Sequence, residues 1–333
     1  MKVCLVGCGS IAQSAHGPAL QRLQKEGLIT LSACCDVDKE RARSFCNQFG
    51  FGRYYDDHLQ MLELEQPDAV FSLLPVRYNA ACAVSILEHG CAMIMEKPPG
   101  INNTEADSII RAAQAKNAYH AVLFNRRSMP LVLEAKRLLE GETIEAISLE
   151  MCREGRRNED FTTTAIHGID CIRFLMDRDF EVLDFHYQED QQAQNTNFYI
   201  SGWFSDNIHV DMRFLPCAGA VTERICIYTK GKQFYLNLPV WSGTTYVPGF
   251  DQPGTLTVAQ NESILLQVTG PELSGCQDGY VLNGFYDEDR IVLQEAISGR
   301  ETQFSVADSL QSVDVATAMR NRKKTYRKDL PDL

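Results

Sequence analysis

No apolar run in the sequence approaches the ~20 residues that a membrane-spanning helix requires. The first residues, MKVCLVGCG, enter a strand-like run directly, with no apolar targeting region and cleavage site ahead of them. These two absences lead to the expectation of a cytoplasmic protein with no membrane partner. Positive charge is also short: 32 Lys and Arg against 44 Asp and Glu leave a net charge of −12. Such a chain repels polyanions, so nucleic acid is not expected as a partner. The one basic cluster, RNRKKTYRK at 320–328, reads as a solvated helix end, where cations complement the dipole. No C-x-x-C pair occurs among the 12 cysteines, which gives no basis for a zinc site or a disulfide framework, and no metal is expected. Cys4, Cys34, Cys35, Cys82 and Cys91 sit inside apolar runs and read as reduced, buried thiols. Internal repeats and low-complexity linkers are missing too. A chain of 333 residues, 44% hydrophobic and 23% charged, then fits two domains with sizeable cores.

What is present alternates in a regular way up to about residue 121. Apolar runs at 3–6, 31–35, 69–74, 92–95 and 121–124 are separated by helix-like stretches. Those stretches lie at about 11–25, within DVDKERARSFCNQFG closed by Gly50, within RYNAACAVSILEHG closed by Gly90, and within NTEADSIIRAAQAKN, with Asn103 or Thr104 as N-cap. Continuous apolar strands alternating with helices predict a doubly wound parallel sheet covered on both faces. Residues 131–140 and 163–177 read as helices. From about 180 the period becomes two. NFYISGWFSDNIHVDMRFL and TERICIYTKGKQFYLNL each read as an antiparallel hairpin. Helices near 284–298 and 306–324 finish the chain. The fold class expected is α/β: a Rossmann domain over 1–121, then an α+β domain over 122–333 with a large, mostly antiparallel sheet. The last helix is placed back against the first domain. PVWSGTTYVPGFDQPG at 239–254 reads as a lid, an interface loop or a long connection.

GCGSIA is Gly7, Cys8, Gly9, Ser10, Ile11 and Ala12, and fits G-x-G-x-x-A between a strand and a helix. The first glycine makes a tight turn, the second admits a pyrophosphate to the backbone, and the small third residue lets helix and strand pack closely. The helix N-terminus then faces the phosphates. Asp36 ends the second strand run and suits the ribose hydroxyls of an adenosine. It would repel a 2′-phosphate, Val37 after it is apolar, and no arginine follows immediately, so NAD is preferred over NADP. The alternative is that Asp36 caps the following helix, a task Asp38 would perform equally well. In MEKPPG, Glu96 and Lys97 stand at a strand's carboxyl end, where open α/β sheets bind ligands. The proline after Lys97 keeps it out of the helical region and presents an ammonium on a fixed stem. The alternative is a strand-end salt bridge from Glu96 to an arginine. In TTTAIHGIDCIRFL, residues 166, 169, 172 and 176 share a face that should be core, while Thr163, His167 and Asp170 share another that can face a cleft.

In this order, GCGSIA, Asp36, LLPVRYNA, EKPPG, FNRRSMP and AIHGIDCIRFL resemble the Gfo/Idh/MocA (glucose–fructose oxidoreductase/inositol dehydrogenase) family over residues 1–176. The resemblance implies that Lys97 is the catalytic lysine that hydrogen-bonds the reacting oxygen and that Glu96 orients it. It also implies that the Lys97–Pro98 peptide is cis. Leu74, Pro75 and Asn79 fall on the cofactor side, Pro75 and Asn79 matching positions that line the nicotinamide. Arg126 and Arg127 match the segment near the substrate, and His167 the acid–base group, with Asp170 able to orient it. Many members carry Asp four residues before that histidine; here Thr163 stands there. A hydroxyl holds no charge, so the proton relay of polyol dehydrogenases is incomplete. The function expected is NAD-dependent hydride transfer at a carbinol carbon of a sugar, sugar derivative or polyol, in a homodimer or homotetramer. Two alternatives are a regulatory protein that binds NAD or sugar without chemistry, and a glycosidase acting by transient oxidation with tightly held NAD.

Overall fold

A computed structural model describes residues 1–157, 160–192, 194–241 and 251–328. Contacts divide the chain into two compact units: Met1–Asn125 with Gly284–Val313, and Arg126–Asn283 with Asp314–Leu333. Most of the segment expected to be a lid, interface loop or connection, residues 242–250, lies outside the described residues.

The first unit is built on six parallel strands: β1 (Lys2–Val6), β2 (Thr30–Cys35), β3 (Arg53–Tyr55), β4 (Ala69–Ser72), β5 (Ala92–Glu96) and β6 (His120–Leu123). They lie in the order β3-β2-β1-β4-β5-β6. Val3, Cys4, Leu5, Val70 and Phe71 have no exposed surface, because helices cover both faces and the strand centres are buried on either side. The order reverses between β1 and β4, and a crevice opens outside the strand ends at such a point.

The helices of this unit are α1 (Gly17–Lys25), α2 (Lys39–Phe49), α3 (His58–Glu65), α4 (Val76–Glu88) and α5 (Asn103–Lys116). Ala42, Phe45, Cys46 and Phe49 form the buried stripe of α2 at helical spacing. Gly50 ends that helix in the left-handed region, at φ 79°. The cap of α5 is Asn102, not Asn103 or Thr104. Its extended backbone, φ −160°, lets the carboxamide accept from Glu105 N–H at 3.1 Å. A π turn over Ala12–His16 precedes α1. Gly17 follows it in a place with no room for more: a Cβ there would lie 2.7 Å from Phe49 and 2.8 Å from the Ala12 carbonyl oxygen.

The chain returns to this unit late. Two of the later helices, α10 (Phe285–Ser298) and α11 (Val306–Arg320), lie wholly or partly in the segment Gly284–Val313. Val292, Leu293 and Phe304 join the core formed by Val3, Leu5 and Phe45. Val122 N–H donates to the Phe304 carbonyl at 2.7 Å, so the return segment also hydrogen-bonds β6.

The second unit holds helices α6 (Pro130–Leu138), α7 (Thr162–Met176), α8 (Gly270–Ser274) and α9 (Gly279–Leu282). Its sheet has nine strands among the described residues: β7 (Ile144–Cys152), β8 (Phe180–Asp190), β9 (Asn195–Phe204), β10 (His209–Leu215), β11 (Thr222–Thr229), β12 (Gln233–Asn237), β13 (Thr255–Gln260), β14 (Ser263–Thr269) and β15 (Thr325–Arg327). Both expected hairpins are present, as β9–β10 and β11–β12. A single parallel pair, β7 with β10, makes the sheet mixed. Ile200, Val210, Met212, Phe214, Ile225 and Ile227 point to the buried face and alternate with residues that reach solvent. On α7 the predicted core face is buried: Ile166, Ile169, Ile172 and Met176 are at most 1% exposed.

The basic tail is not a solvated helix end. The helix stops at Arg320, and Thr325–Arg327 adds to the edge of β8 as an antiparallel strand. An edge strand offers unpaired backbone groups, and the β-prone Thr325-Tyr326 pair takes them. Arg322 lies over the rings of Tyr187 and Phe198, 5.1 Å from each.

Candidate active site

The glycine loop follows from the crevice. Gly7 has φ +96°, and a Cβ there would stand 2.6 Å from the Leu73 carbonyl oxygen, so only glycine lets β1 turn beside the end of β4. Gly9 is different: a Cβ added there meets nothing within 4 Å. Packing does not require glycine at 9, and the space before it is open. Ser10 is exposed, Ile11 half-buried and Ala12 fully buried against the core. Small residues, open space and the N–H groups that begin a helix fit a dinucleotide pyrophosphate.

Asp36 is buried at the end of β2 and accepts from Cys8 N–H and Asp38 N–H, each at 2.9 Å. It ties the glycine loop to β2. The cap of α2 is Asp38, which accepts from Arg41 N–H at 3.1 Å. Val37 is 92% exposed beside it. Arg41 stands with its Nε 3.6 Å from Asp36, a cation that sequence spacing hid. It is five residues on in the chain, yet the first turn of α2 brings it back.

The ends of β4 and β5 are stitched by buried polar groups. Ser72 Oγ donates to Asn79 Oδ1, and Asn79 Nδ2 donates to the Glu96 carbonyl, both at 2.7 Å. Asn79 is fully buried, so its amide holds the strand ends in place. Leu74 is half-buried, and Pro75 is exposed as the cap of α4. The peptide between Lys97 and Pro98 is cis. Lys97 is half-buried at the carboxyl end of β5. The partner of Glu96 is a histidine and not the arginine considered from sequence: His16 Nε2 lies 3.3 Å from Glu96 Oε1. The other ring nitrogen, Nδ1, meets both oxygens of Asp289 at 2.9 and 3.0 Å. Sequence reasoning missed both residues. One lies on the buried side of a π turn and the other 273 positions away, a separation that no local pattern signals. Burial alone would lower the basicity of His16; Asp289 and then Glu96 outweigh it and raise its pKa to about 10.

The second unit carries the other expected residues. His167 and Thr163 are half-buried on α7, and Thr163 Oγ1 donates to the Asp160 carbonyl at 2.9 Å. Asp170 has no exposed surface. Arg127, itself buried, grips it with two bonds, Nε–Oδ2 at 2.7 Å and Nη2–Oδ1 at 2.5 Å. Asp170 thus faces the interior, not an open cleft as the helix spacing allowed. Arg126 donates from Nε and Nη2 to Glu223 at 3.0 and 2.5 Å, and Arg153 joins the same carboxylate. Burial alone would push the Glu223 carboxyl up; Arg126 and Arg153 outweigh it and hold it down at about 2. A polar cavity of about 410 Å³ lies near the start of α7, bounded among others by Arg156, Phe161, Asn195, Thr196 and Arg322.

Residues 1–124 match the family described as "Oxidoreductase family, NAD-binding Rossmann fold". An oxidoreductase from Formosa agariphila is 26% identical over 155 residues, 46% of this chain and 47% of that protein. D-glucoside 3-dehydrogenase from Escherichia coli is 27% identical over 143 residues, 43% of this chain and 39% of that enzyme. The chain therefore matches less than half the length of these relatives. A dehydrogenase from Clostridium difficile shares the fold at a TM-score of 0.81 and 18% identity, over 97% of this chain and 99% of that one.

Proposed function

We propose, from the match of residues 1–124 to the oxidoreductase family with an NAD-binding Rossmann fold, that the chain is a Gfo/Idh/MocA-type NAD(P)-dependent dehydrogenase acting on a carbinol or carbonyl carbon of a sugar, sugar derivative or polyol. The observation that carries this reading is the Glu96–Lys97 corner: an ammonium-bearing residue at a strand end, preceded by a glutamate that Asn79 and His16 hold, in the same sheet as a glycine loop with open space before Gly9. The sugar relatives support the substrate class.

NAD(P), when bound, supplies the hydride acceptor or donor. The chain's own groups do the rest. Backbone N–H groups of the GCGSIA turn bind the pyrophosphate, and Asp36 accepts from the ribose hydroxyls. Lys97 stabilises negative charge developing on the substrate oxygen. His167, with a reference pKa of about 6.5 against about 10.4 for lysine, is the natural proton acceptor near neutrality. Arg127 and Asp170 position its helix from within. We favour NAD over NADP because Asp36 opposes a 2′-phosphate, although Arg41 beside it softens that preference.

A panel of sugars, polyols and sugar acids with NAD and with NADP, followed by nicotinamide absorbance, tests the proposal. Reduction of cofactor by a neutral sugar or polyol, faster with NAD, is the expected result. One observation favours a second reading, a regulatory protein that binds NAD and sugar without chemistry: Thr163, at the position where an acid would complete the relay, donates its hydroxyl to a backbone carbonyl. Tight NADH binding with no turnover across the panel would establish that reading instead.

A further inference from the structure

The first unit contains a buried charged cluster that the hydride-transfer scheme above does not use. His16 and Asp289 have no exposed surface, and Glu96 is 8% exposed. Three different parts of the chain supply them: the π turn before α1, helix α10 in the late return segment, and the last residue of β5. The ring of His16 is boxed in by Phe285 edge-on, with centroids 5.3 Å apart, and by Phe71 at 6.1 Å. Its orientation is therefore fixed by packing as well as by hydrogen bonds. Each ring nitrogen faces carboxylate oxygens, and carboxylates only accept. A neutral imidazole has one N–H and satisfies one side; an imidazolium satisfies both. The group is thus a cation held between two anions, with Asp289 as the nearer partner. Glu288, the other buried acid of α10, precedes Asp289 in the chain. Burying such a set is costly unless every member is paired, and removing one member leaves an uncompensated charge.

We propose that His16 is a positioning residue for the proposed active site: clamped by Asp289, it holds the Glu96 carboxylate and thereby sets the placement and charge environment of Lys97. This rests on the reading of Lys97 as the oxygen-side donor. The structural logic is local. The Glu96 backbone is pinned from one side by Asn79, and its side chain is pinned from the other by His16. Both constraints act on the residue immediately before Lys97. The imidazolium also neutralises Glu96, the carboxylate next to Lys97 in the chain. Without it, that carboxylate would strengthen the hold of the ammonium on its proton and weaken Lys97 as a switchable donor.

The test reads Lys97 directly and needs no substrate. Competitive acetylation of the full chain over a range of pH, quantified on the Lys97 peptide by mass spectrometry, gives a titration curve for that amine, with Lys136 of the second unit as internal reference. In His16→Gln the Lys97 curve should move up by about one pH unit, seen as roughly tenfold slower acetylation below its midpoint, with Lys136 unchanged. A merely structural histidine would alter melting temperature without moving one lysine alone. Should His16→Gln fail to fold, the pair His16→Gln with Asp289→Asn removes the cation together with its nearer anion and leaves Glu96 uncompensated; the same shift is expected. A Lys97 curve that matches wild type in either folded variant overturns the proposal. The two readings part cleanly: normal sugar turnover by Lys97→Ala would remove the assigned role of Lys97 yet leave the labelling shift intact, whereas an unchanged curve would remove only the role of His16.

Discussion

Lys97 and Asn79 are both polar residues at the crevice, and they behave as opposite kinds of group. Asn79 uses its amide on Ser72 and the Glu96 carbonyl, deep in the sheet, whereas Lys97 carries its charge beyond the strand end. Lys97→Ala is therefore expected to lower turnover by about 10²–10³ while NADH still binds, as fluorescence titration of the nicotinamide would register. Normal turnover would mean that another group carries the developing charge. At this scale the chemistry-bearing types were legible. A lysine before a proline at a strand end, and glycines at a strand–helix turn, leave a mark in the sequence because backbone sterics restrict what can stand there. Partners were not legible. Glu96 pairs with His16, Asp170 with Arg127 and Arg126 with Glu223, and a side chain's partner across the fold leaves no trace in local spacing.

Secondary-structure elements were read well where one periodicity persisted. Five of the six strands of the first sheet, helix α7 and the hairpins β9–β10 and β11–β12 show it. The short β3, helix α3, the strands β7, β13 and β14 and the terminal β15 escaped, the last because its cationic residues suggested a solvated helix end. Strand β9 carries a test of how tightly the second sheet is assembled. A Cβ on Gly202 would lie 2.0 Å from the Val182 carbonyl oxygen, backbone that cannot swing aside. Gly202→Ala should destabilise by roughly 1–3 kcal/mol, seen as a lower midpoint in urea; an unchanged midpoint would mean that β8 and β9 slide apart freely. Strands β7 and β11 and the segment before α6 meet at Glu223, which bonds Arg126 and Arg153. Its pKa is depressed, so its stabilisation is complete above the unfolded value of about 4.3 and is lost as pH falls toward about 2. Glu223→Gln should destabilise by about 3 kcal/mol at neutral pH and flatten the acid limb of the stability profile. A profile that keeps its acid limb would assign that limb to other carboxylates.

At the scale of the whole molecule, the path of the chain matters more than any one contact. Composition and alternation pointed to two domains, and only the last helix was placed back against the first; that the return of Gly284–Val313 includes all of α10 has no local signature, since nothing in an amphipathic helix names the surface it will cover. A fragment ending at Asn125 lacks Asp289 for His16, Phe304 for Val122 and the core residues Val292 and Leu293. It should melt without cooperativity and fail to bind NADH, as thermal circular dichroism and fluorescence would record; a cooperative melt with cofactor binding would contradict this. The same path imposes an order on synthesis. A ribosome releases the amino-terminal strands first and then, at ~5–20 residues per second, needs on the order of ten to thirty seconds more before the closing helix emerges. During that interval the nascent first unit holds an unclamped histidine and lacks Val292, Leu293 and Phe304, so its completion waits until the intervening segment Arg126–Asn283 has been made.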